Sequence, residues 1–509
     1  MVATLGSFRL AAAPPGCGYG LGPREVFVAI PCRRIIFVRQ TRDARIARGD
    51  TMQQDEAVAG AAGPRLWLRD PLAILAEEAG GGLVVEGTRI VERVPGGGAP
   101  ASPVHEIFDA SRHVILPGLV NTHHHVFQTL TRAHPAAIDK PLFPWLKALY
   151  PYWARLTPEA FRLATRLAYT ELLLSGCTTA ADHHYLFPRG LEEAVDIQVA
   201  EARALGIRAC VTRGSMSLSE TEGGLPPDSV TQDHDAILAD CERVLNLFHD
   251  RRPGAMVQVA LSPCSPFVVT KRLMRESAAL AEAHDCRLHT HLAETRDETD
   301  YCLAAFGQRP LDYLEEVGWL SPRTWLAHGI HFDDAEVARL GRAGVGVCHC
   351  PTSNMTLASG FCRTCELEAA GSPVGLGVDG SASNDASNLI EEVRHALMLN
   401  RLTYGAEAVT HRDALRWATE GSARCLGRDD IGRIAEGLEA DLALFTLDDL
   451  RFSGSHDPLA ALVLCGASRA DRVMVAGAWR VVDGQPLGID LRALREAHGR
   501  IARDLFGMA

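Results

Sequence analysis

Eight short apolar runs recur through the middle of the chain, separated by longer segments rich in Ala, Leu, Glu and Arg. A short apolar run bounded by turn residues is typical of a buried strand, and the longer segments have the character of helices. Eight alternating strand–helix units predict an α/β fold with a (β/α)8 TIM barrel. The predicted strands are residues 114–122, 177–183, 207–213, 256–263, 286–291, 324–330, 345–350 and 374–379.

An open, doubly wound sheet is the alternative for such a pattern. That fold would place a glycine-rich phosphate loop after its first strand. Three consecutive histidines, residues 123–125, occupy that place instead. The pattern therefore favours the barrel.

Both ends of the chain read as short strands separated by turn residues. We predict that residues 64–115 and 429–487 together form a small β-sandwich domain. Residues 116–428 would then be the catalytic barrel, and residues 488–509 a C-terminal helix.

The first 51 residues have a different composition, with eight arginines against three acidic residues. Their apolar run is too short for a signal peptide and its charges lie on the wrong side. We predict that residues 1–63 are an extension that is disordered or not native, with Met52 as the true start. An organellar presequence is the alternative.

Composition narrows the function classes. The chain of 509 residues is 47% hydrophobic and 22% charged, as is ordinary for a soluble globular protein. A net charge of -12 argues against a nucleic-acid surface, and no apolar run is long enough to span a membrane. Several of the 14 cysteines lie in apolar runs, which is typical of reduced, buried thiols and a cytoplasmic protein.

The three histidines at residues 123–125 are the first candidate metal ligands in the sequence. Side chains at positions i and i+2 of a strand share a face, so His123 and His125 project together and His124 points away. Two imidazoles side by side make half of a zinc site. A histidine-rich turn or buried core histidines are the alternative.

Further candidate ligands stand where other predicted strands end. The fifth strand ends near His289 and His291, the sixth at His328 and the eighth at Asp379. The C-terminal ends of barrel strands meet at one mouth, so these side chains are expected to gather around one ion and leave a position for water. His289 and His291 share a strand face, and spacing alone does not choose between them.

With these motifs the chain resembles the amidohydrolase superfamily, in the branch that deaminates nucleobases and s-triazines. The resemblance runs from about residue 65 to the C-terminus. Residues 122–132 and 212–229 are most similar to 8-oxoguanine deaminases, with hydroxydechloroatrazine ethylaminohydrolase as a near neighbour. The matching motifs are PGLVNTHHH at 117–125, HLAE at 291–294, AH at 327–328, SNM at 353–355 and DGSASND at 379–385.

The resemblance implies one divalent metal per chain, zinc in the first place, with Fe2+ or another divalent ion as the alternative. Relatives with two metals usually carry Lys or Glu after strand four, where this chain has Cys264. The implied ligands are His123, His125, His291 and Asp379.

The resemblance also implies roles in hydrolysis. Asp379 would accept a proton from the attacking water, His328 would hold that water, and Glu294 would protonate the ring of the substrate. The expected reaction converts 8-oxoguanine to urate and ammonia. The alternatives are an s-triazine aminohydrolase, a guanine or isocytosine deaminase, and a non-catalytic scaffold.

Three further residues are candidates for contacts with the heterocyclic substrate. Gln128 could pair with a purine edge, Arg213 could bind a carbonyl oxygen, and Trp145 could stack on the ring. Each has a structural alternative, such as a core position or an ion pair. Exposed barrel helices commonly pair, so we also expect a homo-oligomer.

Four cysteines, Cys348, Cys350, Cys362 and Cys365, have a spacing that would allow a structural zinc site. In a reducing compartment, buried thiols are the favoured interpretation.

Overall fold

The structure is a computed structural model that describes residues 63–506. The predicted extension, including Met52, lies outside the described residues except for Gly63.

The strands fall into three groups along the chain. The N-terminal group is β1 (Arg65–Arg69), β2 (Ala73–Ile74), β3 (Gly82–Glu86), β4 (Arg89–Val94), β5 (Glu106–Asp109) and β6 (His113–Pro117). The central group is β7 (Leu119–Asn121), β8 (His124–His125), β9 (Cys177–Ala181), β10 (Arg208–Ser215), β11 (Val257–Pro263), β12 (Arg287–Leu292), β13 (Thr324–His328), β14 (Gly346–His349), β15 (Val374–Leu376) and β16 (Asp379–Gly380). The C-terminal group is β17 (Leu442–Thr446), β18 (Arg472–Val475), β19 (Ala478–Val482) and β20 (Gln485–Pro486).

Helices connect the central strands and close the chain. They are α1 (Leu142–Trp153), α2 (Pro158–Leu174), α3 (Ala194–Leu205), α4 (His234–Phe248), α5 (Lys271–His284), α6 (Arg296–Phe306), α7 (Pro310–Glu316), α8 (Asp334–Ala343), α9 (Pro351–Thr356), α10 (Thr364–Ala370), α11 (Leu389–Tyr404), α12 (His411–Arg416), α13 (Ser422–Cys425), α14 (Pro458–Leu464) and α15 (Leu491–Phe506). Many begin at a Thr or Asp cap: the Thr157, Asp233, Thr270, Thr295 and Asp333 side chains each accept a backbone N–H of the first turn.

The predicted barrel is confirmed. Eight parallel strands form one sheet in the order β15, β14, β13, β12, β11, β10, β9, β7. The two ends of the sheet meet where the backbone N–H and hydroxyl of Thr122 both donate to the Leu376 carbonyl, at 3.0 and 2.9 Å. Asn121 adds a side-chain bond by accepting the Val378 N–H at 2.9 Å.

The first predicted strand was wrong in one respect, because residues 114–122 belong to two sheets. β6 pairs antiparallel with β17, whereas β7 pairs parallel with β9 inside the barrel. The chain changes sheets at Gly118, whose N–H donates to the Asp441 carbonyl. A Cβ at Gly118 would lie 2.2 Å from the Thr178 hydroxyl oxygen, so only glycine fits this crossing.

Strands from both ends of the chain build two further sheets. One has four strands in the order β4, β3, β1, β5, and the other has six in the order β2, β6, β17, β18, β19, β20. A common apolar core joins them, as the predicted β-sandwich requires. Its fully buried members are Leu68, Leu83, Ile90, Ala110, Ile115, Ala440, Leu442, Leu444 and Met474.

The last helix, α15, packs against α2 and the segment that follows the three histidines. His498 on this helix is buried, and its Nε2 lies 3.1 Å from the Thr129 hydroxyl. None of the helices within residues 63–506 has the length and apolarity that crossing a membrane requires.

Candidate metal and catalytic site

The site lies at the C-terminal mouth of the barrel, where the first and last barrel strands come together. The short strands β8 and β16 pair in parallel, with Asp379 opposite His124. The Asp379 N–H also donates to the His123 carbonyl at 3.0 Å. The backbone itself therefore sets the Asp379 carboxylate beside the histidines.

Three imidazoles and one carboxylate converge there. Nε2 of His125 lies 3.2 Å from Nε2 of His291 and 3.3 Å from Oδ1 of Asp379. Nε2 of His123 lies 3.2 Å from the same oxygen. Ligand atoms around a tetrahedral zinc ion are about 3.3 Å apart for Zn–N bonds of about 2.0–2.1 Å. These separations fit that coordination shell.

The Nδ1 atoms of two of these rings face backbone acceptors. His125 Nδ1 lies 2.7 Å from the His183 carbonyl oxygen, and His291 Nδ1 lies 2.7 Å from that of Cys264. A carbonyl can only accept, so both rings carry their proton on Nδ1 and leave Nε2 as a lone pair. Two lone pairs facing each other at 3.2 Å repel unless a cation lies between them, so the arrangement fits a metal.

His123 and His289 have a different relationship. His289 Nδ1 lies 2.8 Å from the Trp325 carbonyl, and His289 Nε2 lies 2.8 Å from His123 Nδ1. His289 must therefore donate to the carbonyl and accept from His123, which leaves it no nitrogen for a metal. His123 keeps a buried Nε2 without a hydrogen-bond partner. This geometry distinguishes His291 from His289, which spacing alone left open.

The protonation states agree with a metal shell. Burial lowers the pKa of His123 and His291 well below the ordinary range, so both rings are neutral and able to act as ligands. Burial alone would raise the pKa of Asp379, but the neighbouring His123 and His125 outweigh it and hold that pKa well below its usual range. Asp379 is therefore an anion.

Glu294 and His328 lie next to this shell. His328 Nε2 is 3.6 Å from Oε2 of Glu294 and 3.9 Å from Oδ2 of Asp379, and its Nδ1 is 3.0 Å from the Asn354 side-chain oxygen. Burial raises the pKa of Glu294 well above the ordinary range, and the negative charge of Asp379 raises it further. Both effects favour the protonated form of Glu294.

The backbone that presents these groups is strained. Three non-glycine residues at strand ends adopt left-handed conformations: Ala293 (φ 54°), His328 (φ 70°) and Asp379 (φ 61°). Such residues cost about 1–3 kcal/mol each and cluster at functional sites. Glu298 helps to hold one of these turns, because its carboxylate accepts the N–H groups of Ala293 and Glu294 at 3.0 and 2.9 Å.

A pocket opens over these groups, and the structure places two of the three predicted substrate contacts in its wall. Gln128 and Trp145 line the pocket together with Tyr185. Trp145 donates from its indole N–H to the Ala382 carbonyl at 3.1 Å.

Arg213, the third predicted contact, is not among the pocket-lining residues. Its guanidinium forms an ion pair with Asp240, bonds to Gln232 at 3.0 Å and lies 3.7 Å from the Phe187 ring centre. These contacts match the ion-pair alternative for Arg213 and not a substrate contact.

Several residues of the site were not predicted. His183 follows β9 and stacks on His291 with ring centres 4.5 Å apart, a position at a strand end that could have been noticed from the sequence. Asn354 lies in the SNM motif, but only the structure shows its bond to His328. Tyr185 and Cys264 lie in loops after strands, where no periodicity points to the pocket.

The four cysteines considered for a structural zinc site do not gather into one. Within residues 63–506, no group of metal-binding side chains includes Cys348, Cys350, Cys362 or Cys365. The Sγ atoms of Cys348 and Cys350 lie 3.6 Å apart, and all four side chains are free thiols. They match the favoured interpretation of buried thiols, with only Cys365 partly exposed.

Comparisons with known proteins agree with this geometry. An 8-oxoguanine deaminase of Pseudomonas aeruginosa is 65% identical over 87% of this chain and 99% of its own length. Hydroxydechloroatrazine ethylaminohydrolase of Pseudomonas sp. (strain ADP) is 39% identical over 77% of this chain and 83% of its own. The zinc complex of atrazine chlorohydrolase TrzN from Arthrobacter aurescens TC1 superposes with a TM-score of 0.81, at 30% identity, over 86% of this chain and all of that one.

The family model described as "Amidohydrolase family" matches residues 114–480, most of the chain. The sequence resemblance is therefore confirmed, and this chain belongs to the amidohydrolase family.

Proposed function

We propose that this chain is a zinc-dependent aminohydrolase that converts 8-oxoguanine to urate and ammonia. The observation that carries a hydrolytic deamination is that the Nε2 atoms of His123 and His125 meet at Asp379 Oδ1, with His291 Nε2 3.2 Å from that of His125. Glu294 lies alongside, 3.6 Å from Nε2 of His328. The 65% identity to a Pseudomonas 8-oxoguanine deaminase supports this substrate over others.

His123, His125, His291 and Asp379 would hold the metal. When bound, a zinc ion lowers the pKa of a water molecule toward ~7 and so supplies a nucleophile at neutral pH. The two carboxylate oxygens of Asp379 have separate surroundings. Oδ1 faces the histidines, whereas Oδ2 faces His328 and the Ser383 hydroxyl, the latter at 3.4 Å.

This division lets Asp379 act as a base. Its Oδ2 takes one proton from water as the water oxygen bonds to the carbon that bears the amino group. His328 orients the water, and its own ring is fixed by Asn354. The proton on Glu294 passes to the adjoining ring nitrogen, which makes the carbon more electrophilic.

The second half of the reaction restores both carboxyl groups. Asp379 gives its proton to the amino nitrogen, and the C–N bond breaks to release ammonia. The new hydroxyl on the carbon loses its proton to Glu294 and becomes a carbonyl. Water has then replaced the 2-amino group of 8-oxoguanine with oxygen, and the product is urate.

Removal of an alkylamine from an s-triazine is the second candidate, and the identity to hydroxydechloroatrazine ethylaminohydrolase favours it. Purified enzyme should be given 8-oxoguanine, guanine, isocytosine and an N-alkylated hydroxytriazine, with ammonia or amine release as the readout. Fastest ammonia release from 8-oxoguanine is the expected result. No release from it, with turnover of the triazine, would reverse the order.

Two further properties belong to the same proposal. The free thiols of the described chain support a reducing, cytoplasmic location. Exposed apolar side chains on the outer helices, such as Leu402 on α11, support a homo-oligomer.

A further inference from the structure

A second cavity, of about 540 Å³, opens at the end of the barrel opposite the catalytic mouth. Its wall includes Gln258 near the start of β11, Arg287 at the start of β12 and Arg323 just before β13. The catalytic groups stand at the other ends of these strands. A volume of this size lies within the range of small-molecule sites, about 300–1,000 Å³.

The wall of this cavity carries more positive than negative charge. Arg251, Arg287 and Arg323 lie in it, and among the described residues that line it Asp285 is the only carboxylate. Asp285 pairs with Arg323 at 2.7 Å and lies 3.8 Å from Arg251. Three guanidinium groups against one carboxylate leave an excess of positive charge, in a chain whose net charge is -12.

Arg287 is the arginine that has no carboxylate partner. Within residues 63–506 it forms no ion pair: its Nη2 donates to the Cys425 carbonyl, and its Nε is buried without a hydrogen-bond partner. Burial lowers the pKa of Arg287, because little water reaches the guanidinium to stabilise its charge. A buried guanidinium without a counter-charge is costly, and an anion in the cavity would offset that cost.

Two neighbours of Arg287 complete the site. His249 Nδ1 accepts the Val259 N–H at 3.0 Å, so the proton of this ring is on Nε2, which is buried and has no hydrogen-bond partner in the described part of the chain. A Cβ on Gly427 would lie 2.7 Å from Nη1 of Arg287, so glycine makes room for the guanidinium. The residues of the wall therefore include two with a buried donor that lacks an acceptor.

We infer that this cavity binds a small molecule that carries a phosphate group, with Arg287 as the main contact. A guanidinium presents paired N–H groups that match the oxygens of a phosphate, and it stays charged at physiological pH. Arg251 and Arg323 add positive charge around it. The site lies apart from the catalytic mouth, so the inference goes beyond the proposed function and its test needs no turnover.

The first test measures binding to the zinc-loaded enzyme by isothermal titration calorimetry, with inorganic phosphate and ribose 5-phosphate as probes. We expect saturable binding of one probe molecule per chain, weakened by added sodium chloride. Tighter binding of ribose 5-phosphate would identify an organic phosphate as the ligand, and equal binding would identify the free anion; both results support the site. Absence of binding by either probe would overturn the inference.

The second test locates the bound phosphate. Arg287→Gln should weaken binding about 10- to 100-fold, as the loss of a charged hydrogen bond does. Its zinc content should equal that of the wild type, which shows that the catalytic mouth is intact. Unchanged phosphate binding would place the anion elsewhere, for example at the catalytic mouth, and refute the inference.

A matched pair of surface variants covers the case in which Arg287→Gln does not fold. The side chains of Arg251 and Arg272 are each 63% exposed and each lies near one aspartate, but of the two only Arg251 lines the cavity. Arg251→Gln should weaken phosphate binding by a few-fold, as for an exposed charge, and Arg272→Gln should leave it unchanged. In that case equal Kd values for the two variants would overturn the inference.

Discussion

Nδ1 of His123 lies 2.8 Å from Nε2 of His289, and the far nitrogen of His289 lies 2.8 Å from the Trp325 carbonyl. The carbonyl fixes the proton of His289, and His289 in turn fixes the proton of His123. The lone pair of His123 is thereby directed toward the Asp379 carboxylate. Outer partners of this kind orient metal ligands and raise their basicity.

Replacing His289 should therefore weaken metal binding without removing a ligand. His289→Ala should lower zinc affinity about 10- to 100-fold, and His289→Gln, which keeps an acceptor, should lose less. Zinc content after dialysis against graded chelator measures the change. His184→Ala is the control, because His184 is also a buried neutral imidazole but belongs to none of the metal-binding groups found within residues 63–506. Equal zinc loss in the two alanine variants would contradict the proposed role of His289 in orienting His123.

Removing a ligand itself should have a larger effect. His125→Ala deletes one of the three converging Nε2 atoms and leaves the carbonyl of His183 without its donor. We expect the purified variant to hold no zinc after dialysis and to release no ammonia. Bound zinc with continued deamination would show that the ligand assignment is wrong.

The barrel and the gathering of histidines at its mouth could be predicted because both follow from periodicity. Strand ends in a barrel meet, so His123, His291 and Asp379 were expected together. Residues that share a strand face could not be separated that way. The Nδ1 atoms of His289 and His291 both face backbone carbonyl oxygens, those of Trp325 and Cys264. The two rings differ at Nε2, which lies 2.8 Å from Nδ1 of His123 in His289 and 3.2 Å from Nε2 of His125 in His291, and these contacts depend on the tertiary structure.

Arg213 shows a second limit of prediction from the sequence. Its place near the C-terminal end of a barrel strand pointed to the substrate, but a strand position does not reveal which partner is nearer. Asp240 on α4 and the Phe187 ring take the guanidinium instead. Tyr185 was missed for a related reason, since it lies in a loop whose path depends on tertiary contacts.

Glu294→Gln should separate catalysis from metal binding. The amide keeps the shape of the side chain but has no carboxyl proton to give, and Glu294 is not one of the converging ligand groups. We expect unchanged zinc content and a kcat lower by about 10^2- to 10^4-fold, as for loss of a general acid. A kcat within a few-fold of the wild type would indicate that Glu294 only caps the turn before α6.

His498 should make the docking of α15 sensitive to acid. Burial lowers the pKa of this histidine to about 4, below the ordinary value of 6.5. Between these values the unfolded chain binds more protons than the folded one, so the contribution of His498 is fully present above pH 6.5 and is lost as pH falls toward 4. In the variant His498→Gln the side chain no longer takes up a proton in this pH range.

Relative to that variant, the wild type should lose about 2 kcal/mol of unfolding free energy between pH 7 and pH 5. Chemical denaturation of both proteins across this range measures the difference, and a pH-independent difference would show that the pKa of His498 is the same in the folded and the unfolded chain.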